Sequence, residues 1–221
     1  RLPVECAAAL DGRGEHGPPP LHRVEEGGCF RAHVEARPRR LRRKKGIDWR
    51  HQSLDGSVTK APLGGEATGP SPVDRAKTGT KRSLLVDGRG VPIGLVVAGA
   101  NRHDSKLAEP TLCAIEAKRP SPRKKKQKLH ADKGYDSKKF REFAARRGYI
   151  VRIPRRGERP KLRLPKRLRR KARRWVVERS HSWMNRFRRI LIRWEKKAEN
   201  YKAILHLACA WIAFSQGGVL A

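Results

Sequence analysis

Acidic residues are scarce in this chain. Only 21 Asp and Glu stand against 54 Lys and Arg in 221 residues, a formal net charge of +33. Such a charge says little about fold. It does name a partner class, because its field attracts polyanions and makes their binding steep in salt. Cysteine is also sparse: Cys6, Cys29, Cys113 and Cys209 lie far apart with no CxxC pair, which argues against a zinc finger and a dense disulfide framework and fits reduced thiols. Long apolar runs are missing too. The most apolar stretch, Ala203 to Phe214, contains His206 and is roughly half the length of a membrane span, so it reads as a core helix. There is no signal-peptide pattern. The sole methionine is Met184 and residue 1 is arginine, so the chain is expected to be a fragment lacking an N-terminal region. What is present suffices for a folded unit, since 37% of the residues are hydrophobic. The length suits one catalytic-sized domain and excludes a large multidomain machine.

Residues 1 to 45 combine Pro18-Pro19-Pro20, glycine pairs and the basic run Arg39 to Lys45 without a sustained period, and are expected to be poorly ordered. From residue 46 to the C-terminus the pattern is that of a folded domain. Ile47 to Gly56 reads as a strand that runs out at Asp55-Gly56, followed by a Gly-, Pro- and Thr-rich loop over 60 to 80. Ser83 to Val86 and Ile93 to Ala98, joined through Asp87-Gly88-Arg89-Gly90, predict a hairpin. Asp104 or Ser105 can cap a helix reaching about Lys118. Lys128 to Asp132 is a short strand, Ser137 caps a helix closed by Gly148, and Tyr149 to Ile153 is a further strand ended by Pro154. Long helical patterns follow at Arg174 to Lys197 and Tyr201 to Phe214. Three early antiparallel strands, then strands separated by helices, predict an α/β fold with a mixed five-stranded sheet flanked by helices.

A polynucleotide partner narrows the chemistry. Phosphodiester cleavage is served by two divalent metals about 3.5 to 4 Å apart, and Mg²⁺ asks for a few hard carboxylate ligands on a rigid frame. Three acids are placed to supply them. Asp55 and Asp132 each end a predicted strand with a glycine close behind, and the two strands can lie side by side. Each can equally be a turn residue. Glu178 sits on the polar edge of its helix beside Arg174, Asn185 and Arg189, opposite Val176, Trp183, Phe187, Ile190, Leu191 and Trp194. A solvated glutamate in an Arg-rich helix is the plain alternative. Asp74, Asp87 and Asp136 are competing aspartates, the last two explicable as turn residues.

Several motifs in order are more specific than any one acid. Leu54-Asp55-Gly56-Ser57, Gly69-Pro70-Ser71-Pro72-Val73-Asp74-Arg75, Lys77-Thr78-Gly79-Thr80-Lys81-Arg82, Ala100-Asn101-Arg102-His103-Asp104-Ser105, Ala131-Asp132-Lys133-Gly134-Tyr135-Asp136 and Val177-Glu178-Arg179 resemble bacterial insertion-sequence transposases of the DDE class, in their IS-five-like group. The resemblance runs from about residue 47 to the C-terminus. It implies a ribonuclease-H-like fold and two Mg²⁺ or Mn²⁺ ions held by Asp55, Asp132 and Glu178. It also implies cleavage at the element's ends followed by strand transfer into target DNA. The wider superfamily has a Tyr seven residues before the glutamate, an Arg four before and a Lys seven after; Lys171, Arg174 and Asn185 stand at those positions here.

DNA contacts are expected from Lys81, Arg82, Arg174, Arg186, Arg188 and Arg189. A backbone-gripping surface is expected from the 26 basic residues between Lys118 and Arg174. Asp104 is read first as a helix cap, and Trp175, Trp183 and Trp194 as packing residues rather than base-stacking platforms. Double-stranded DNA is the expected partner, with a homodimer holding two ends, no membrane, and a cytoplasmic, nucleoid-associated location. The alternative is an inactive transposase remnant or a plain basic DNA-binding protein.

Overall fold

A computed structural model describes residues 46–154 and 173–216. Residues 1 to 45 and much of the basic run, 155 to 172, lie outside the described residues, as do Cys6 and Cys29. The sheet begins with β1 (His51–Lys60), β2 (Gly69–Pro70), β3 (Thr78–Val86) and β4 (Pro92–Gly99). Helix α1 (Asp104–Cys113) leads to β5 (Gln127–Ala131), a 3₁₀ turn (Lys133–Tyr135), α2 (Lys138–Arg146) and β6 (Tyr149–Arg152). Beyond the basic run come α3 (Trp175–Met184), α4 (Arg188–Leu191) and α5 (Ala198–Gln216).

The long strands lie in the order β4-β3-β1-β5-β6. β4, β3 and β1 are antiparallel neighbours, while β1–β5 and β5–β6 are parallel. This is the mixed, ribonuclease-H-like arrangement, with one strand more than expected: two-residue β2 pairs with Thr78 and Gly79 of β3. Strand alternation divides the core into two layers. Leu54, Leu85 and Leu129 pack with Leu112, Phe140 and Tyr149 under α1 and α2. On the other face Leu84 and Val86 pack with Val176, Met184, Ile190, Tyr201 and Leu205 of the C-terminal helices.

The local signals explain most element boundaries. Ser137 caps α2 by accepting from the Phe140 amide at 3.2 Å, and Gly148 closes it at φ +77°, a conformation glycine adopts without strain. The hairpin turn is organised by Asp87, which is buried and whose carboxylate accepts from the amides of Arg89, Val91 and Asp48. Two expectations are corrected. β1 does not stop at Asp55-Gly56 but continues to Lys60, because β3 pairs with it up to Lys60↔Gly79. The helix expected over Arg174 to Lys197 breaks. It caps at Asn185, Phe187 is extended, and Ile192 is extended and bridges Lys60. The cause is tertiary. The Arg193 amide donates to the Lys60 carbonyl at 2.8 Å, and its buried guanidinium donates to the carbonyls of Glu66, Ala67, Glu195 and Lys196, contacts that outweigh helix propensity. In consequence Leu191 and Trp194, expected on a buried stripe, are exposed.

Candidate active site

β1 and β5 run parallel with Leu54 beside Ala131, so Asp55, in mid-strand on β1, and Asp132, the residue just past β5, follow neighbouring positions of the two strands. Asp55 is opposite Leu84 and therefore faces the α3 layer. Glu178 stands in the first turn of α3. That helix is fixed to the sheet by its small polar residues: the Ser180 hydroxyl donates to the Gly90 carbonyl at 2.8 Å, and the Ser53 hydroxyl to that of Arg173 at 3.0 Å.

The three acids register on one another electrostatically. Asp55 is pushed up to about 6, first by burial and then by the negative charges of Asp104, Glu178 and Asp132, against the opposing hydrogen bond from the Gly56 amide. Beneath it His181 is buried between the Asp55 backbone and Arg82, and burial holds its ring down to about 4. Among the described residues no cation is within ion-pair distance of Asp55 or Glu178, whereas Asp132 is paired with Arg174. Nor are any three His, Cys, Asp or Glu side chains gathered closely enough to hold an ion in this arrangement. The residue types still fit a hard divalent cation, because carboxylates supply hard oxygen donors and the charges of Glu178 and Asp132 reach the half-buried Asp55.

The other candidates have separate roles. Asp74 pairs with Lys60 at 3.6 Å and Asp136 with Arg141 at 2.6 Å. Of the expected DNA contacts, Arg186 and Arg188 are exposed, and Arg189 is exposed but paired with Glu195. Lys81 and Arg82 do not face solvent. Lys81 Nζ lies 2.9 Å from Asp104, and Arg82, 2% exposed, donates to Asn185 Oδ1 at 2.9 Å. The basic run also divides. Arg123 to Lys126 are exposed before β5, at the end of that strand away from Asp132, while Arg119 bonds Gln127 and stacks on Tyr149, and Arg141 bonds the Ile153 carbonyl. Those arginines hold the fold together.

Asp104 was read first as a cap, and it is not one. His103 caps α1, its Nδ1 accepting from the Ser105 amide, and this leaves the Asp104 carboxylate free to face Lys81 and Gly56. The only advance signal was the Ala100–Ser105 motif.

Residues 47–213 match the family described as the transposase DDE domain. The chain belongs to that family. A Burkholderia cepacia protein, assigned by name as the transposase for insertion sequence element IS402, is 36% identical over 151 residues, covering 67% of this chain and 69% of that protein. Among solved structures, the catalytic domain of Mos1 mariner transposase is 13% identical with a TM-score of 0.41, over 83% of this chain and 87% of that one. The piggyBac transposase synaptic complex with hairpin DNA is also 13% identical at a TM-score of 0.41, over 76% and 46%. No helix among the described residues of this DDE-family chain is long and apolar enough to cross a membrane.

Proposed function

We propose that this DDE-family chain cleaves double-stranded DNA at the ends of an insertion sequence and joins the freed ends to target DNA, with residues 46 to 221 as the catalytic domain. Asp55, Asp132 and Glu178 are the acids that hold two divalent ions, Mg²⁺ or Mn²⁺. The observation that carries this reading is the placement of Asp55 and Asp132 at adjoining strand positions, with both Asp132 and Glu178 acting on the Asp55 carboxyl.

When bound, such ions activate water and offset the charge that builds on the phosphoryl centre. The chain's own residues supply the frame. Asp55 is held within β1, Asp132 follows the end of β5, and α3 carries Glu178 in its first turn. Arg174 occupies Asp132 as a resident cation and must yield it for the site to fill. Arg186 and Arg188 are exposed beside α3, where phosphates can be held by charge without reading sequence. Two element ends must be held together, which calls for a homodimer on DNA, acting in the bacterial cytoplasm on the nucleoid.

The test is Mg²⁺-dependent nicking of a duplex carrying the element's ends. Nicking is expected to vanish in Asp55→Asn, Asp132→Asn and Glu178→Gln, and cleavage persisting in all three contradicts the assignment. The Arg174–Asp132 pair favours one second reading, a remnant that binds DNA without cutting it. That reading predicts salt-sensitive binding and no cleavage with any metal.

A further inference from the structure

The motif Ala100 to Ser105 is left unexplained by a three-acid site, yet nearly every residue in it has a defined contact. A Cβ on Gly69 would stand 2.4 Å from Asn101 Oδ1, and one on Gly99 2.7 Å from it, so Asn101 is packed onto both backbones. The Arg102 carbonyl accepts from Lys81 Nζ at 2.7 Å. His103 caps the helix. Asp104 then completes an ion pair with Lys81 at 2.9 Å, in which the lysine side chain is only 9% exposed and the aspartate 37%.

This pair backs directly onto the first candidate catalytic strand. Gly56 is opposite Ser83, so it faces α1, the side of the sheet away from Asp55. A Cβ there would stand 2.8 Å from Asp104 Oδ1 and 3.3 Å from the Tyr135 hydroxyl. Gly56 is thus backed by a carboxylate and a phenol, and it directly follows Asp55 on β1, whose side chain is on the opposite face. Lys81 fixes this backing, since its ammonium joins the first turn of α1 to β3.

The geometry points to Lys81 and Asp104 as positioning residues of the active site: an ion pair packed behind Gly56 that holds this stretch of β1, and with it the neighbouring Asp55, in place to receive a divalent cation. Lys81 is therefore a counter-ion within the protein and not a phosphate contact. The inference rests on Asp55 being a metal-holding acid, as proposed above. Groups that orient a ligand from behind typically contribute about 10- to 100-fold in metal affinity or rate.

The experiment measures binding of Mn²⁺ alone to the whole chain by electron paramagnetic resonance, together with the salt dependence of binding to a random-sequence duplex. Lys81→Met and Asp104→Asn are each expected to weaken Mn²⁺ by about tenfold or more, with the double variant no worse than either single one. Lys81→Arg is expected to keep near-normal affinity, and the salt slope is expected to stay unchanged in every variant. Melting temperatures identify variants that fail to fold, and Asp104→Asn, which preserves shape, carries the test if Lys81→Met does not fold. Unchanged Mn²⁺ affinity in Lys81→Met and Asp104→Asn overturns the inference. So does a salt slope lowered by about one in Lys81→Met, the signature of a lost phosphate contact. Asp55→Asn separates the two levels. If it fails to weaken Mn²⁺, the active-site reading itself falls; if it weakens Mn²⁺ while the other two variants do not, only the positioning role falls.

Discussion

The two faces of the sheet treat acids differently around Asp55, in the middle of β1. Under α1, Asp104 is paired with Lys81. On the α3 face, Asp55 and Glu178 have no cation within ion-pair distance among the described residues, in a chain with 54 basic side chains to choose from. The difference teaches what each charge is for. A carboxylate paired with a neighbouring lysine is part of the frame, whereas Asp55 is half buried with no such partner and Glu178 is exposed, the pattern expected if these acids take a counter-charge from outside, as proposed above.

The largest expected effect comes from removing the uncompensated acids. Asp55→Asn, Asp132→Asn and Glu178→Gln should each lower nicking of a terminal-repeat duplex by roughly 10³-fold or more, since metal ions are worth several kcal/mol to the transition state. Breaking the compensated pair should cost less, about 10- to 100-fold, as the Lys81 and Asp104 variants test. Both effects should exceed the stability changes below in their consequence for activity.

The core beneath the two faces can be compared through adjacent residues of β3. Leu84 and Leu85 are both fully buried but in opposite layers. Leu84→Ala and Leu85→Ala should each lower unfolding free energy by about 3 kcal/mol in a denaturant titration. The Leu84 change lies on the Asp55 face and should also weaken metal binding.

Charge on the Asp55 face also predicts a pH dependence. Asp55 ionises at about 6 in the fold against about 3.9 when unfolded. A carboxyl with a raised folded value favours the folded state below its unfolded value, and that advantage is lost as pH rises through the window from about 4 to 6. In EDTA at pH 7, Asp55→Asn should therefore be more stable than the parent by about 2 kcal/mol, and the gap should close by about pH 4. His181 and His130, held down to about 4, act in the opposite direction. Their burial in neutral form destabilises both proteins equally as pH falls from about 6.5 towards 4, so the difference between variants isolates Asp55.

The smallest effect concerns arginines. Arg186→Ala and Arg188→Ala should each reduce the logarithmic salt slope of duplex binding by about one, while Arg82→Met, buried and bonded to Asn185, should leave the slope unchanged.

Sequence patterns located the sheet well because strand signals here are local. The Asp87-Gly88 turn, the Ser137 cap and the Gly148 stop all hold the positions they suggest. The juxtaposition of Asp55 and Asp132 was legible as a possibility because both acids were expected at the ends of strands that could be neighbours in a mixed sheet; the strands are neighbours, though β1 runs on past Asp55. The break after Met184 was not legible, because Arg193 is drawn into an extended path by distant carbonyls at Glu66 and Ala67. Helical periodicity carries no trace of such contacts. Nor could composition separate Arg119 and Arg141, bonded to a side chain and a carbonyl within the fold, from arginines that face solvent. Asp104 was hidden for a related reason: an acid at a helix start looks like a cap, and only the fold reveals that His103 has that role.

The central claim is that Asp55, Asp132 and Glu178 hold the metal. It is tested most directly by replacing each with cysteine and measuring nicking of a terminal-repeat duplex in Mg²⁺ and then in Mn²⁺. A thiolate is a poor ligand for hard Mg²⁺ and a better one for softer divalent ions, so the account predicts nicking lost in Mg²⁺ and partly restored by Mn²⁺ for each variant. Full Mg²⁺-dependent nicking by all three cysteine variants would contradict it.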